Sequence, residues 1–200
     1  NMKLNDLNLI FSTPIWSSLV DNHKEVNEKL MKYIDQLQST DPEGKFKSNI
    51  KGWHSQNFDL KADAPVFFLN SISKILNKSF FDMGWDLEKN KIKITGMWTI
   101  INPPGASNSR HIHSNNFISA AYYIKAPKNS GKIVFYDPRD ANVIRKPVTK
   151  TENQLNANIF YIEPQEGLLV LFPSYLHHSV DQNSSEDERI VLSFNVNLTF

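Results

Sequence analysis

Cysteine is absent from the 200 residues, which removes disulfides, thiolate metal sites and thiol nucleophiles at once. Any metal must therefore sit on histidine and oxygen donors. No apolar run approaches the length needed to cross a bilayer, so no membrane role is expected. Charge of one sign is lacking too. Twenty-two Lys and Arg balance 21 Asp and Glu, for a net charge of +1, and no basic stripe of the kind that tracks a phosphate backbone stands out. The start also lacks the basic, apolar, small-residue order of a secretory signal, and a cytoplasmic location is expected.

The composition that remains is globular, with 40% hydrophobic and 22% charged residues. A chain of 23.0 kDa is long enough for one sizeable core, so one domain over residues 1–200 is expected. It divides into a helical N-terminal support with an edge strand over 1–90 and a β core over 91–200. Leu4 to Trp16 reads as an extended apolar edge strand, with Pro14 near its end. Asp21 and Asn22 offer caps to a helix carrying Val26, Leu30, Tyr33, Ile34 and Leu37 at three- and four-residue steps. A second helix is marked by Phe67, Phe68, Ile72, Ile75 and Leu76.

After Asn90 the pattern turns to short β-branched and aromatic runs separated by Pro, Gly, Asn and Asp. Strands are predicted at Ile92 to Ile101, Phe117 to Lys125, Gly131 to Tyr136, Asn158 to Ile162, Gly167 to Phe172 and Arg189 to Leu198. About six strands after two helices, without βαβ alternation, predict a mainly β antiparallel barrel or sandwich braced by helices.

Chemistry concentrates in RHIHSNN. His111 and His113 are two apart in extended chain, so both imidazoles share a face and can reach one ion of iron, zinc or copper. A pair of surface loop histidines is the plainer alternative. Far downstream, LFPSYLHHSV sets His177 and His178 behind an apolar strand and a Pro-bearing turn, and only one of the two can face inward. Arg189 opens RIVLSFNV, sharing a face with Val191, Ser193 and Asn195. An Arg inside a barrel needs an anion to meet its planar fork, whereas an exposed one would pair with Glu186 or Glu188 for little energy. Ser119, Ala121 and Tyr123 share a face of their strand that could leave room for a bound molecule. Trp98 and Asn102 lie on the strand leading towards His111.

Taken in order, HIH, the strand with YY, SGKIVFYDPR, LFPSYLHHSV and ERIVLSFNV resemble the Fe(II)/2-oxoglutarate-dependent dioxygenase superfamily. With LIFSTPIW and SNIKGWHS, the chain looks like the 2OG-Fe(II) oxygenase family found in bacteria and marine phages. The resemblance spans Leu9 to Leu198 and implies a double-stranded β-helix, or jelly roll. In the superfamily an HxD or HxE motif supplies two iron ligands, a distant His the third, and a downstream Arg binds the far carboxylate of 2-oxoglutarate. Carried over, these become His111, His113, His178 and Arg189. The departure is His113 in the carboxylate position, which makes three neutral imidazoles of the usual 2-His-1-carboxylate set. A second registration would use His113 and Asn115, with Asn a poorer ligand.

The resemblance further implies Fe(II) and 2-oxoglutarate as cofactors. Tyr123, Ser119 and Asn102 would join Arg189 around the cosubstrate, and Trp98, Asn115 and Asn195 would face the substrate. The expected reaction is hydroxylation of a small molecule or peptide with release of succinate and carbon dioxide. Apart from the resemblance, the balanced charge gives no clear nucleic-acid signal, and a homodimer is one possible assembly. Two rivals stand beside it: a cupin-like three-His dioxygenase that needs no 2-oxoglutarate, and a non-catalytic jelly-roll binding or structural module. The place of Arg189 discriminates, because only the 2-oxoglutarate reading needs it inside, beside the metal.

Overall fold

The computed structural model of the chain describes residues 7–140 and 147–199. The helices follow the apolar spacing. Helix α1 (His23–Thr40) buries Val26, Leu30 and Ile34, and α2 (Asp63–Asp82) buries Phe68, Ile72, Leu76 and Phe80, one stripe on each turned to a common core. Asn22 stands at the N-cap of α1 without a side-chain cap bond. Its amide instead donates to Ser71 Oγ of α2 at 3.1 Å, tying one helix to the other.

The strands pair antiparallel in two sheets. The first orders β1 (Trp16–Leu19), β9 (Leu168–Pro173), β6 (Ile118–Lys125), β11 (Arg189–Thr199), β4 (Lys91–Asn102) and β3 (Trp53–His54). The second orders β2 (Asn49–Ile50), β5 (Ser107–His111), β10 (His178–Val180), β7 (Ile133–Tyr136) and β8 (Ile159–Ile162). This is the mainly β, jelly-roll layout, but the sheets face one another without closing into a barrel: the outer strands of one do not pair with those of the other among the described residues.

Long-strand expectations hold to within a residue or two. The opening strand is displaced: β1 does lie at a sheet edge, but it starts at Trp16, beyond Pro14, whose ring nitrogen has no proton for a ladder. Residues 7–15 carry no strand, and Leu4 lies outside the described residues. Four short strands, β2, β3, β5 and β10, were not predicted.

Alternation along β6 explains the layering. Ala120, Tyr122 and Ile124 join Phe68 and Phe194 in the core between helices and first sheet. Ala121 and Tyr123 point the other way, joining Phe135 and Phe172 between the sheets. Asn27 of α1 clasps the helix to β6, donating to Ile124 O at 3.0 Å while accepting from the Tyr122 hydroxyl at 2.7 Å. The helical layer thus stiffens the sheet from behind and leaves its inner face for the site. No helix among the described residues is long and apolar enough to cross a membrane.

Candidate metal centre

Strands β5 and β10 are antiparallel neighbours with His178 directly opposite His111. Opposed residues in such a ladder project from the same face with Cβ atoms roughly 4.5–5.5 Å apart, and the two ring centroids are 4.3 Å apart. His113 follows β5, its N–H held by Ser174 O at 3.0 Å, and its ring lies 5.1 Å from each of the others. Ligand nitrogens of all three lie within 4.8 Å of one another. His113 Nε2 and His178 Nε2 are 3.3 Å apart. Nitrogens sharing one ion stand roughly 3.0–3.4 Å apart when each bond is about 2.1 Å, so this spacing fits a metal between them.

The surroundings prepare the same atoms. His111 Nδ1 lies 2.7 Å from Ser109 O and His178 Nδ1 2.9 Å from Leu176 O. A carbonyl only accepts, so each Nδ1 carries the proton and each Nε2 turns a lone pair to the common point. Burial, with the other histidines' charges, lowers His113 to about 4 and His178 to about 3, and burial also lowers His111. All three are neutral near pH 7, the state a metal requires. His177 is exposed, and its carbonyl accepts from Tyr136 N–H at 3.0 Å; of the HH pair, His178 faces in.

These imidazoles open on a cavity of about 600 Å³ that Tyr123 and Arg189 also line. Arg189 is 1% exposed, far from the surface pairing with Glu186 or Glu188. Its Nη1 donates to Ser130 O at 2.8 Å and Gly131 O at 3.0 Å, while its buried Nε has no acceptor. Burial pulls the guanidinium's pKa down, but Tyr123 and Asp181 raise it, and Arg keeps its charge in proteins. A buried charged donor left unpaired is costly, and a carboxylate beside Nε would satisfy it. Tyr123, pushed by burial up to about 12, keeps its proton and can donate to the same anion.

Other expected site residues separate. Trp98 lines the cavity and stacks on His113 at 5.6 Å. Ser119 and Asn195 do not line it: the Ser119 hydroxyl donates to Asn195 Oδ1 and pairs with Ser174 Oγ, both at 2.8 Å. They share Tyr123's face, yet sit where strand ends close on one another. Asn102 is likewise outside the lining, its amide donating to Asn108 Oδ1 and its carbonyl accepting from Asn183. Asn115 is exposed with φ 62°, its carbonyl held by Asn197, so it turns the chain outside the cavity. His54, Lys45, Lys47 and Asn57 line the cavity unforeseen. For His54 the signal was the SNIKGWHS phrase, whose Trp53 and His54 pair with Ile101 and Ile100 of β4; Lys45, Lys47 and Asn57 flank the phrase and carried no signal of their own.

The sequence from 96 to 195 matches the family described as "Putative 2OG-Fe(II) oxygenase", half of the chain, and it takes in His111, His113, His178 and Arg189. The chain belongs to that family of 2-oxoglutarate-dependent oxygenases, whose cofactors are Fe(II) and 2-oxoglutarate. Among solved structures it is similar to a prolyl-4-hydroxylase from Pseudomonas putida, at 15% identity and TM-score 0.65 over 93% of each chain. It is also similar to the epimerase SnoN of nogalamycin biosynthesis, at 10% identity and TM-score 0.68 over 92% of this chain and 76% of that one. A third is HygX from Streptomyces hygroscopicus, solved with nickel and 2-oxoglutarate bound, at 10% identity and TM-score 0.63 over 94% and 84%. At such identities the likeness is one of fold. No curated protein matches.

Proposed function

We propose that the chain is an Fe(II)- and 2-oxoglutarate-dependent hydroxylase in which His111, His113 and His178 hold the iron and Arg189 with Tyr123 holds the cosubstrate's far carboxylate. The observation that carries this reading is the buried guanidinium with its unpaired Nε on the wall of the cavity the three imidazoles share. A cupin-like dioxygenase without 2-oxoglutarate would have no use for such an anion site. When bound, iron supplies the redox chemistry by which dioxygen and 2-oxoglutarate yield succinate, carbon dioxide and a hydroxylated substrate C–H.

The chain's own residues position and exclude. Three neutral ligands leave the ion's full charge in place, which draws in a dianionic cosubstrate. Arg189, braced by two carbonyls, presents its Nε edge without needing to reorganise. Tyr123 donates from the adjacent strand, and Phe172 and Val191 keep water from the anion. Helices α1 and α2 act as the rear support of the site, while Lys45, Lys47, His54 and Asn57 from the same N-terminal half join the cavity wall.

Succinate release and metal content in Arg189 variants test the assignment. Arg189→Lys keeps a charge and loses the fork, so the 2-oxoglutarate concentration needed should rise at least about tenfold with metal binding unchanged. Arg189→Leu should fold, bind metal and release almost no succinate. Normal turnover by Arg189→Leu would refute the clamp.

A further inference from the structure

The wall of the cavity beyond Trp98 carries charge that neither metal nor cosubstrate uses. Lys45 and Lys47 both line it, while Phe46 between them is exposed. The loop is fixed, not trailing. Lys45 N–H donates to His54 O at 2.7 Å, Asn49 Nδ2 donates to Lys45 O at 3.1 Å, and Asn49 Oδ1 accepts from Lys47 N–H at 2.7 Å. Gly44, at φ +63°, lets the loop press against β3: a Cβ there would fall 2.5 Å from His54 O. Both lysine charges reach the His54 ring and hold its pKa down, behind the larger effect of burial.

Charge balance asks what these lysines meet. Neither ammonium has an ion pair or hydrogen bond among the described residues, and no Asp or Glu lines the cavity. Asp41, outside the lining, feels the charge of Lys45 without contacting it, and Lys47 has no such acidic neighbour among the described residues. A 2-oxoglutarate dianion is already outweighed by a divalent ion and Arg189. His113, Trp98 and His54 form a stack with ring spacings of 5.6 and 5.7 Å, so the lysines stand one indole and one imidazole away from the metal ligands. Resting on the hydroxylase reading above, we propose that the substrate is a small molecule with an anionic carboxylate or phosphate group, which Lys45 and Lys47 bind while its body lies along Trp98 towards the three histidines. Asn57 and Ser193, also in the lining, offer neutral hydrogen bonds along that path.

The test uses protein loaded with Ni(II) and 2-oxoglutarate, so that nothing turns over, titrated calorimetrically at low salt with inorganic phosphate and, separately, propionate. Wild type should bind one of them; preference for phosphate assigns a phosphate-bearing substrate, preference for propionate a carboxylate. The double variant Lys45→Gln, Lys47→Gln should weaken that binding by about tenfold or more, as loss of a charge-assisted contact predicts, and leave 2-oxoglutarate affinity unchanged. A control double variant on exposed helix positions, Lys32→Gln, Lys74→Gln, should change neither. Equal weakening by the control, no weakening by the loop variant, or no binding of either probe overturns the proposal. A fall in 2-oxoglutarate affinity in the loop variant also overturns it, by giving the lysines to the cosubstrate. Failure of loaded wild type to bind 2-oxoglutarate would instead count against the hydroxylase reading, and lysine-dependent probe binding can be read without it.

Discussion

In the proposed ligand set His113 takes the place of the usual carboxylate, and its imidazole stacks on Trp98 and approaches His178 Nε2 to 3.3 Å. An Asp there would cancel part of the ion's charge. We expect His113→Asp to hold Ni(II) at least as tightly as wild type but to bind 2-oxoglutarate several-fold more weakly, since less positive charge meets the dianion; paired calorimetric titrations measure both. The same residues make metal-free protein sensitive to acid. His113 and His178 titrate at about 4 and about 3 when folded, against 6.5 ordinarily. Between pH 6.5 and those values the unfolded chain takes up protons that the folded chain refuses, so stability is present above 6.5 and falls as pH drops. His113 contributes on the order of 3 kcal/mol and His178 about 5 kcal/mol across their windows. Chelator-treated wild type should lose thermal stability between pH 6.5 and 5 more steeply than His113→Gln; equal slopes would count against the buried, neutral cluster.

Two polar elements, β5 and β10, bring the ligands together, and neither was legible beforehand. They span five and three residues, SNSRH and HSV, too short and too polar for an alternating apolar signal. Their pairing is set by neighbours, with β10 laid against β7 as well as β5. The loop between β6 and β7 brings the Arg189 cradle to this sheet. Gly131 sits there at φ +94°, and a Cβ would lie 2.2 Å from Asp181 O and 3.0 Å from Arg189 Nη1. Gly131→Ala should therefore push that loop off both the end of β10 and the guanidinium. We expect a loss of roughly 1–3 kcal/mol in urea unfolding and a several-fold higher 2-oxoglutarate requirement, with metal affinity retained.

For the molecule as a whole, the helical layer is support and the space between the sheets is chemistry. Phe68 of α2 is wholly buried, packed 4.9 Å from Tyr122 and 5.8 Å from Phe194 by ring centroid. Phe68→Ala should cost about 3–5 kcal/mol through lost burial and a cavity. Addition of Ni(II) and 2-oxoglutarate should raise its melting temperature as much as that of wild type, because ligand binding to the folded state adds stability separately. A variant that melts low and gains nothing from the ligands would show that the helices shape the site as well as brace it.

The sequence by itself determined the two helices, the six longer strands and the candidates His111, His113, the His177–His178 pair and Arg189, because apolar periodicity and the HIH, HHSV and ERIV phrases are local signals. It also placed Arg189, Val191 and Ser193 on one face, a consequence of strand geometry alone. Tertiary structure decided which of those same-face residues reach the cavity. Ser119 and Asn195 satisfy each other instead, and Asn102 is held by Asn108 and Asn183. Alternation specifies a side of a strand, not a depth along it, and depth depends on what the facing sheet places opposite. The inward turn of His178 rather than His177, the approach of His54 and the two lysines, and the unpaired edge of Arg189 were decided the same way. Each depends on hydrogen bonds between segments distant in the chain, which no local pattern encodes.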